Sequence, residues 1–111
     1  MRIKLNQTIK GYDNKELLDQ DNKPSVLRDV FAIAINSQTR DEILTAEQKA
    51  KIYQLSVKLY SDNEVELTLD DRAFIKERAG KIWTPLIYGR ICEILEDSEV
   101  EVEEKPLDKN N

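Results

Sequence analysis

The sequence contains no histidine, only one cysteine, and three glycines and three prolines among its 111 residues. Without histidine, the commonest general base and zinc ligand are missing, and so is every Ser-His or Cys-His nucleophile pair. The single Cys92 excludes an intramolecular disulfide and therefore a disulfide-stabilised secreted scaffold. These absences predict a protein that is not an enzyme and that uses no metal or cofactor.

Long apolar runs are also missing. No run approaches the roughly 20 residues of a membrane-spanning helix, and the opening MRIKLNQTIK has no apolar signal-peptide core. We therefore expect a cytoplasmic protein that does not bind membranes. Apolar residues make up 40% of the chain and charged residues 35%. This balance suits one soluble domain whose core needs neither metal nor disulfide.

Negative charge is concentrated at one end of the chain. Residues 96–111 contain seven acids and two lysines, which account for the whole net charge of −5. We therefore predict a single domain over residues 1–96 and a disordered acidic tail over residues 97–111. Basic residues are scattered, so direct nucleic-acid binding is not expected. The tail either solubilises the last helix or docks on a basic partner through Glu99, Glu101, Glu103 and Glu104.

The first ten residues alternate between apolar and polar positions, which predicts a half-buried strand. The turn sequence GYDNK and a return strand at Glu16–Leu18 complete a β-hairpin. Because an isolated hairpin is marginally stable in water, we expect a third strand or a helical surface against it. Val65-Glu66-Leu67 is the best candidate for that strand.

Apolar residues at helical spacing predict four helices, and capping residues mark where they begin. Ser25 is the expected cap of the first helix and Thr68 that of the third. Thr45 and Gln48 form a capping box before the second helix. The expected helices cover roughly Val26–Asn36, Ala46–Tyr60, Leu69–Trp83 and Pro85–Asp97.

The buried faces of these helices follow from the same spacing. The first helix is expected to bury an apolar stripe that Ile33 and Ile35 widen. The second and third helices are expected to bury narrower stripes. The predicted core side chains are Leu27, Val30, Phe31, Ala34, Ile33, Ile35, Ile52, Leu55, Leu59, Ala73, Ile75, Ala79 and Ile82.

The segment AGKIWTPLIYGRI, residues 79–91, contains the only tryptophan and two of the three glycines. One interpretation is a helix–helix corner, in which Gly89 lets a neighbouring backbone approach. The other is a partner-binding surface, because tryptophan and tyrosine dominate many interfaces. The candidate partner-binding residues are Trp83, Leu86, Ile87 and Tyr88.

Two acidic patterns are weaker signals. Glu64, Glu66, Asp70 and Asp71 lie close together in sequence, but a short strand and a helix start explain them without catalysis. The loop DQDNKP has the Asp-x-Asp spacing of a calcium loop, yet it lacks the required glycine and closing glutamate. Neither pattern predicts a metal site.

Four segments together resemble a class of small, functionally unassigned proteins of tailed bacteriophages and prophages. They are IKLNQTIKGYDNKEL, the helix start Leu27-Arg28-Asp29-Val30, LTAEQKAKIYQLSVKL and VELTLDDRAFIKERAGKIWTPLIYGRICEILE, which span most of residues 3–96. The resemblance implies a phage accessory or assembly protein and carries over no catalytic residues.

We therefore predict an α+β fold in which an N-terminal β-hairpin packs on about four helices. The expected function is a non-enzymatic protein–protein interaction module of phage or prophage origin, which binds another protein or itself. The alternative is an acidic inhibitor that binds a nucleic-acid-binding host protein.

Overall fold

The computed structural model describes the backbone of residues 1–103 and the side chains of residues 1–96. A two-stranded antiparallel sheet lies against helices, which confirms the α+β class. The elements in chain order are β1 (Arg2–Lys4), α1 (Leu27–Asn36), α2 (Ala46–Leu59), β2 (Glu64–Glu66), α3 (Leu69–Ile82) and α4 (Pro85–Glu103).

The backbone of α4 continues past the predicted end near Asp97. The acidic tail falls largely outside the described residues: no side chain after Glu96 is described, and nothing after Glu103. The docking role of Glu99, Glu101, Glu103 and Glu104 therefore stays a prediction.

The sheet pairs the first strand with the segment predicted as a third strand. Arg2 lies opposite Glu66, Ile3 opposite Val65 and Lys4 opposite Glu64. Ile3 and Val65 are both buried, so one face of this short sheet contributes to the core. On the other face, Arg2 forms an ion pair with Glu64 at 3.5 Å.

The predicted return strand at Glu16–Leu18 is not formed, and a single isolated bridge between Lys10 and Glu16 closes the turn instead of a regular ladder. The turn at residues 11–15 has a hydrogen bond from the Gly11 N–H to the Lys15 carbonyl, and Asn14 adopts a positive φ of 65°. A second turn at residues 19–23 repeats this geometry, with Asn22 at φ 61°. Asparagine tolerates this left-handed conformation better than most residues.

Three residues spaced eight apart join these turns through a closed ring of backbone hydrogen bonds. The Ile9 N–H donates to Ser25 (2.8 Å), the Ser25 N–H to Leu17 (2.8 Å), and the Leu17 N–H to Ile9 (2.9 Å). The ring satisfies both polar backbone groups of each residue. It also brings the chain to the start of α1 in a defined position.

The predicted Ser25 cap is wrong. Val26 occupies the N-cap position of α1 and makes no side-chain capping hydrogen bond. Instead, the Leu27 N–H donates to the Gln7 carbonyl at 2.8 Å and the Arg28 N–H to the Leu5 carbonyl at 3.0 Å. Two of the free N–H groups of the first turn are therefore satisfied by a neighbouring strand-like segment instead of a side chain.

The other two predicted caps are confirmed. Thr45 and Gln48 form a reciprocal capping box at α2, with hydrogen bonds of 2.9 and 3.0 Å. Thr68 forms the same arrangement with Asp71 at α3. Both boxes can be read directly from the sequence because they involve residues three apart.

The core lies between the sheet, the helices and the N-terminal turns. Three predicted core residues are placed differently: Ile33 and Ala73 are exposed, and Ile82 is half-buried. On α3 the buried face includes two arginines and an aspartate, whose charges are compensated by hydrogen bonds and ion pairs. The main buried apolar side chains are Ile3, Leu5, Ile9, Leu27, Val30, Phe31, Ala34, Ile35, Ile52, Leu55, Leu59, Val65, Leu67, Ile75, Ala79, Ile87, Ile91 and Leu95.

The segment 79–91 forms a corner between two separate helices. α3 ends at Ile82 and Pro85 is the first residue of α4, the position where proline is favoured. The expected close approach at Gly89 is wrong, because a Cβ atom there would meet nothing within 4 Å. The close approach is at Gly80, where a Cβ atom would lie 3.3 Å from the Tyr88 ring.

Alanine substitutions should distinguish Thr45, which caps a helix, from Ser25, which does not. We expect Thr45→Ala to lower the free energy of unfolding by about 1 kcal/mol, because it removes a capping hydrogen bond. Ser25→Ala should cost clearly less, since Ser25 contributes backbone groups that alanine also has. Urea unfolding followed by circular dichroism measures both, and an equal loss in the two variants would contradict the assignment.

The two helical glycines provide a second comparison. Gly89→Ala should stabilise the protein by about 0.5–1 kcal/mol, because alanine favours the helix and its methyl group fits. Gly80→Ala should gain less, since the Tyr88 ring must move. If urea unfolding showed that Gly80→Ala raises the free energy of unfolding more than Gly89→Ala does, the contact with Tyr88 would impose no cost.

Candidate functional site

A surface depression of about 560 Å³, here called the α1 groove, lies along the outer face of α1. Residues of the second N-terminal turn, the end of α2 and the α3–α4 corner complete its walls. Its volume lies in the range typical of binding pockets. The lining residues are Asp19, Ser25, Val26, Asp29, Val30, Ala32, Ile33, Asn36, Ser37, Tyr60 and Trp83.

The outer face of α1 supplies one long side of the groove. Asp29, Ile33 and Asn36 are spaced four and three residues apart, so they share one face of the helix. Ile33 is 46% exposed although it lies on an otherwise strongly apolar helix. Tyr60, at the end of α2, is 60% exposed and also lines the groove. The groove thus has apolar side chains that no described segment covers.

Trp83 connects the corner between α3 and α4 to this site. Its indole Nε1–H donates a 2.9 Å hydrogen bond to the Val30 carbonyl on α1. The ring is half-buried and packs against the core while it also lines the groove. Trp83 therefore has a structural role even if a partner contacts its exposed part.

A smaller depression of about 290 Å³ adjoins the α1 groove, and Asn36 lines both. Asn36 is held in place because its Nδ2 group donates to the Ser56 hydroxyl and to the Ala32 carbonyl, each at 3.0 Å. Tyr53, which is exposed, lines the smaller depression. Together the two depressions extend the apolar surface along the seam between α1 and α2.

Hydrogen bonds fix the orientation of Tyr60 at the groove. Its hydroxyl donates to Asp29 Oδ1 at 3.2 Å, and partial burial together with this hydrogen bond raises the pKa of Tyr60. The Arg28 guanidinium lies 5.9 Å from the centre of the ring and donates to the Leu59 and Asp62 carbonyls at 2.7 Å. Tyr60 therefore stays protonated and oriented at neutral pH.

The four candidate residues of the α3–α4 corner occupy different environments. Trp83 lines the α1 groove, Leu86 is half-buried, and Ile87 belongs to the core. Tyr88 is 38% exposed and faces Gly80. Of the four, the groove includes Trp83 only, and binding by the others stays a prediction.

The acidic residues around β2 and the start of α3 are paired with basic groups. Glu64 and Glu66 face Arg2, and Lys51 bridges Asp70 and Asp71 at 2.9 and 2.7 Å. Burial alone would raise the pKa of Asp71, but hydrogen bonds from Lys51 and Lys58 outweigh it and hold the pKa at about 2. Within residues 1–96, no group of acidic or cysteine side chains is arranged to hold a metal ion.

A second polar cluster ties the segment between α1 and α2 to α3. Arg78 is only 2% exposed, and its guanidinium donates to the Glu42 carboxylate and to the Ser37 carbonyl. The hydrogen bond from Arg78, helped by the Thr39 N–H, holds the pKa of Glu42 at about 2. All of these contacts are internal, so the cluster is structural.

Apart from Trp83, the residues that define the groove were missed, because the sequence assigned Ile33 to the core. Two signals point to them. α1 is apolar at seven of its ten positions, more than one face can bury. Tyr53 and Val57 of α2 and its C-cap Tyr60 are spaced four and three apart and form an exposed stripe beside the buried one.

Comparisons with protein-family models, curated proteins and solved structures found no match to this chain. In the part of the chain that the structure describes, no helix is long and apolar enough to cross a membrane.

The low pKa of Glu42 predicts a specific response to acid. Because folding lowers this pKa from 4.5 to about 2, the carboxylate stabilises the fold above about pH 4.5 and loses that effect as pH falls towards 2. Glu42→Gln should therefore lower stability at pH 7 and flatten its decline between pH 4.5 and 2. Urea midpoints at several pH values measure this.

Glu47→Gln, at an exposed position in the first turn of α2, is the control. It should leave the acid dependence close to that of the unmodified chain. If Glu42→Gln keeps the full decline, the Glu42–Arg78 contact does not contribute as described.

Proposed function

We propose that this chain is a non-enzymatic protein-interaction module and that the α1 groove is its docking surface. The observation that carries the proposal is the exposure of Ile33 and Tyr60 around a groove that Trp83 partly walls. Apolar and aromatic side chains grouped in a concave surface are typical of binding sites.

The dimensions of the groove favour a short peptide segment. α1 has ten residues, which corresponds to a length of about 15 Å. A partner helix of two to three turns, or a short extended segment, would match that length. Covering apolar side chains supplies the favourable free energy, at roughly 25 cal/mol per Å² of apolar surface. The aromatic rings of Tyr60 and Trp83 suit the centre of such an interface.

The biological setting rests on the resemblance described above. A small phage or prophage protein that acts in assembly, or that modifies a host process, would work by binding another protein or a second copy of itself. The paired acidic residues and the absence of histidine support a binding role over catalysis.

The alternative, an acidic inhibitor of a nucleic-acid-binding protein, depends on the acidic tail. No contact among the described residues favours it. Truncation after Glu96 distinguishes the two: the inhibitor would lose its partner, and binding by the full chain would weaken steeply with salt. Docking in the α1 groove would survive the truncation.

A pair of matched variants tests the docking surface. Ile33→Glu introduces a charge into the groove, whereas Ile43→Glu makes the same change at a site that is 89% exposed and outside the groove. In capture experiments from a host lysate, we expect the unmodified chain and Ile43→Glu to retain the same partner and Ile33→Glu to lose it. Thermal melts check that both variants fold, and equal retention by all three baits would contradict the proposal.

A further inference from the structure

We infer that the segment received by the α1 groove is basic as well as apolar: a short amphipathic peptide that places lysine or arginine beside its apolar anchors. This inference rests on the proposed docking function and names the chemical class of the partner. It rests on two carboxylates that line the groove and on the hydrogen bonds that orient them.

Asp19 and Asp29 line the groove, and no lysine or arginine is among its described lining residues. The two carboxylates come from different elements, the second N-terminal turn and the first turn of α1. The groove therefore combines apolar walls with negative charge, even though residues 1–95 as a whole have balanced charges. An apolar partner that also carries positive charge is complementary to it.

Each carboxylate is oriented through one oxygen. Asp29 Oδ1 accepts the Tyr60 hydroxyl, while Asp19 Oδ1 accepts the N–H groups of Asp21 and Lys23 at 2.8 and 3.0 Å. In the described part of the chain, Oδ2 of neither residue has a hydrogen-bond partner. The protein thus holds both groups in place and leaves one oxygen of each for another donor.

Some carboxylates of this protein form internal ion pairs, but the two that line the groove do not. Glu42 and Asp71 form ion pairs with arginine or lysine, whereas within residues 1–96 neither Asp19 nor Asp29 forms a salt bridge. Arg28, the neighbour of Asp29, directs its guanidinium to the Leu59 and Asp62 carbonyls instead. Within the described residues, therefore, neither groove carboxylate has an ion-pair partner in the free protein.

The missing ion-pair partners of Asp19 and Asp29 affect which segment can dock. A partner that covers Ile33 and Tyr60 also removes water from the neighbouring carboxylates, and a desolvated charge without a partner is unfavourable. A lysine or arginine on the incoming segment removes this penalty. A neutral segment leaves it in place, and an acidic one increases it through repulsion.

The same argument excludes two occupants from this chain. The acidic tail would bring negative charge to a negative groove. A second copy docked symmetrically would place each groove against its own equivalent, so that like charges would meet. A separate basic segment remains the complementary occupant.

A peptide selection tests the inference. Random twelve-residue peptides without tryptophan are displayed and selected against the full chain, then counter-selected against Ile33→Gln to keep those that depend on the groove, since this change removes an apolar contact without adding charge. We expect the retained peptides to combine apolar residues with lysine or arginine. Binding of the synthesised peptides is followed by the emission of Trp83, the only tryptophan of the chain.

Charge variants of the protein provide the second measurement. At low salt, Asp29→Asn and Asp19→Asn should each weaken binding about two- to fivefold, as expected for partly exposed ion pairs. Asp13→Asn is the matched control. Asp13 accepts the Lys15 N–H in the first turn, just as Asp19 accepts the Lys23 N–H in the second turn, but Asp13 lies outside the groove. It should leave the affinity unchanged.

The outcomes separate this inference from the proposed function. Retained peptides that are neutral or acidic, or affinities that Asp19→Asn and Asp29→Asn leave unchanged, would overturn the basic partner while the docking surface stands. If no peptide distinguishes the unmodified chain from Ile33→Gln, the docking surface is contradicted and this inference fails with it.

Discussion

Two backbone hydrogen bonds at the start of α1 determine the arrangement of the rest of the structure. The carbonyl groups of Leu5 and Gln7 accept hydrogen bonds from the N–H groups of Arg28 and Leu27. In many helices a side-chain cap satisfies N–H groups of the first turn, but α1 has no such cap. The ring through Ile9, Leu17 and Ser25 brings the chain to this point. These contacts fix the start of α1, while packing against α2 and α3 covers its inner face.

The core is completed by buried charge as well as by apolar packing. Arg78 and Asp71 lie on the buried side of α3, where ion pairs and hydrogen bonds offset the loss of hydration. Arg78 also ties the segment after α1 to α3 through Glu42 and Ser37. The inner face of α3 includes charged groups, whereas α1 buries six apolar residues and leaves Ile33 exposed.

The α1 groove shares residues with the fold that supports it. Trp83 donates to the Val30 carbonyl and packs against the core, so its replacement would alter stability and binding together. Ile33 contributes mainly to the outer face, which makes it the more informative position for separating the two effects. The carboxylates of Asp19 and Asp29 each accept hydrogen bonds through Oδ1 and can be changed to amides without removing that acceptor.

Local features of this protein were determined by its sequence alone. The capping boxes of Thr45 and Thr68 and the helix start at Pro85 depend on residues close together in the chain. The sequence around Val65 also indicated a strand, although its partner strand lies far from it in the chain, at residues 2–4. The cap of α1, the burial of Arg78, the close approach at Gly80 and the exposure of Ile33 were decided by the tertiary structure. Each of these depends on residues that are distant in sequence, and helical periodicity cannot indicate which face of an apolar helix its neighbours will cover.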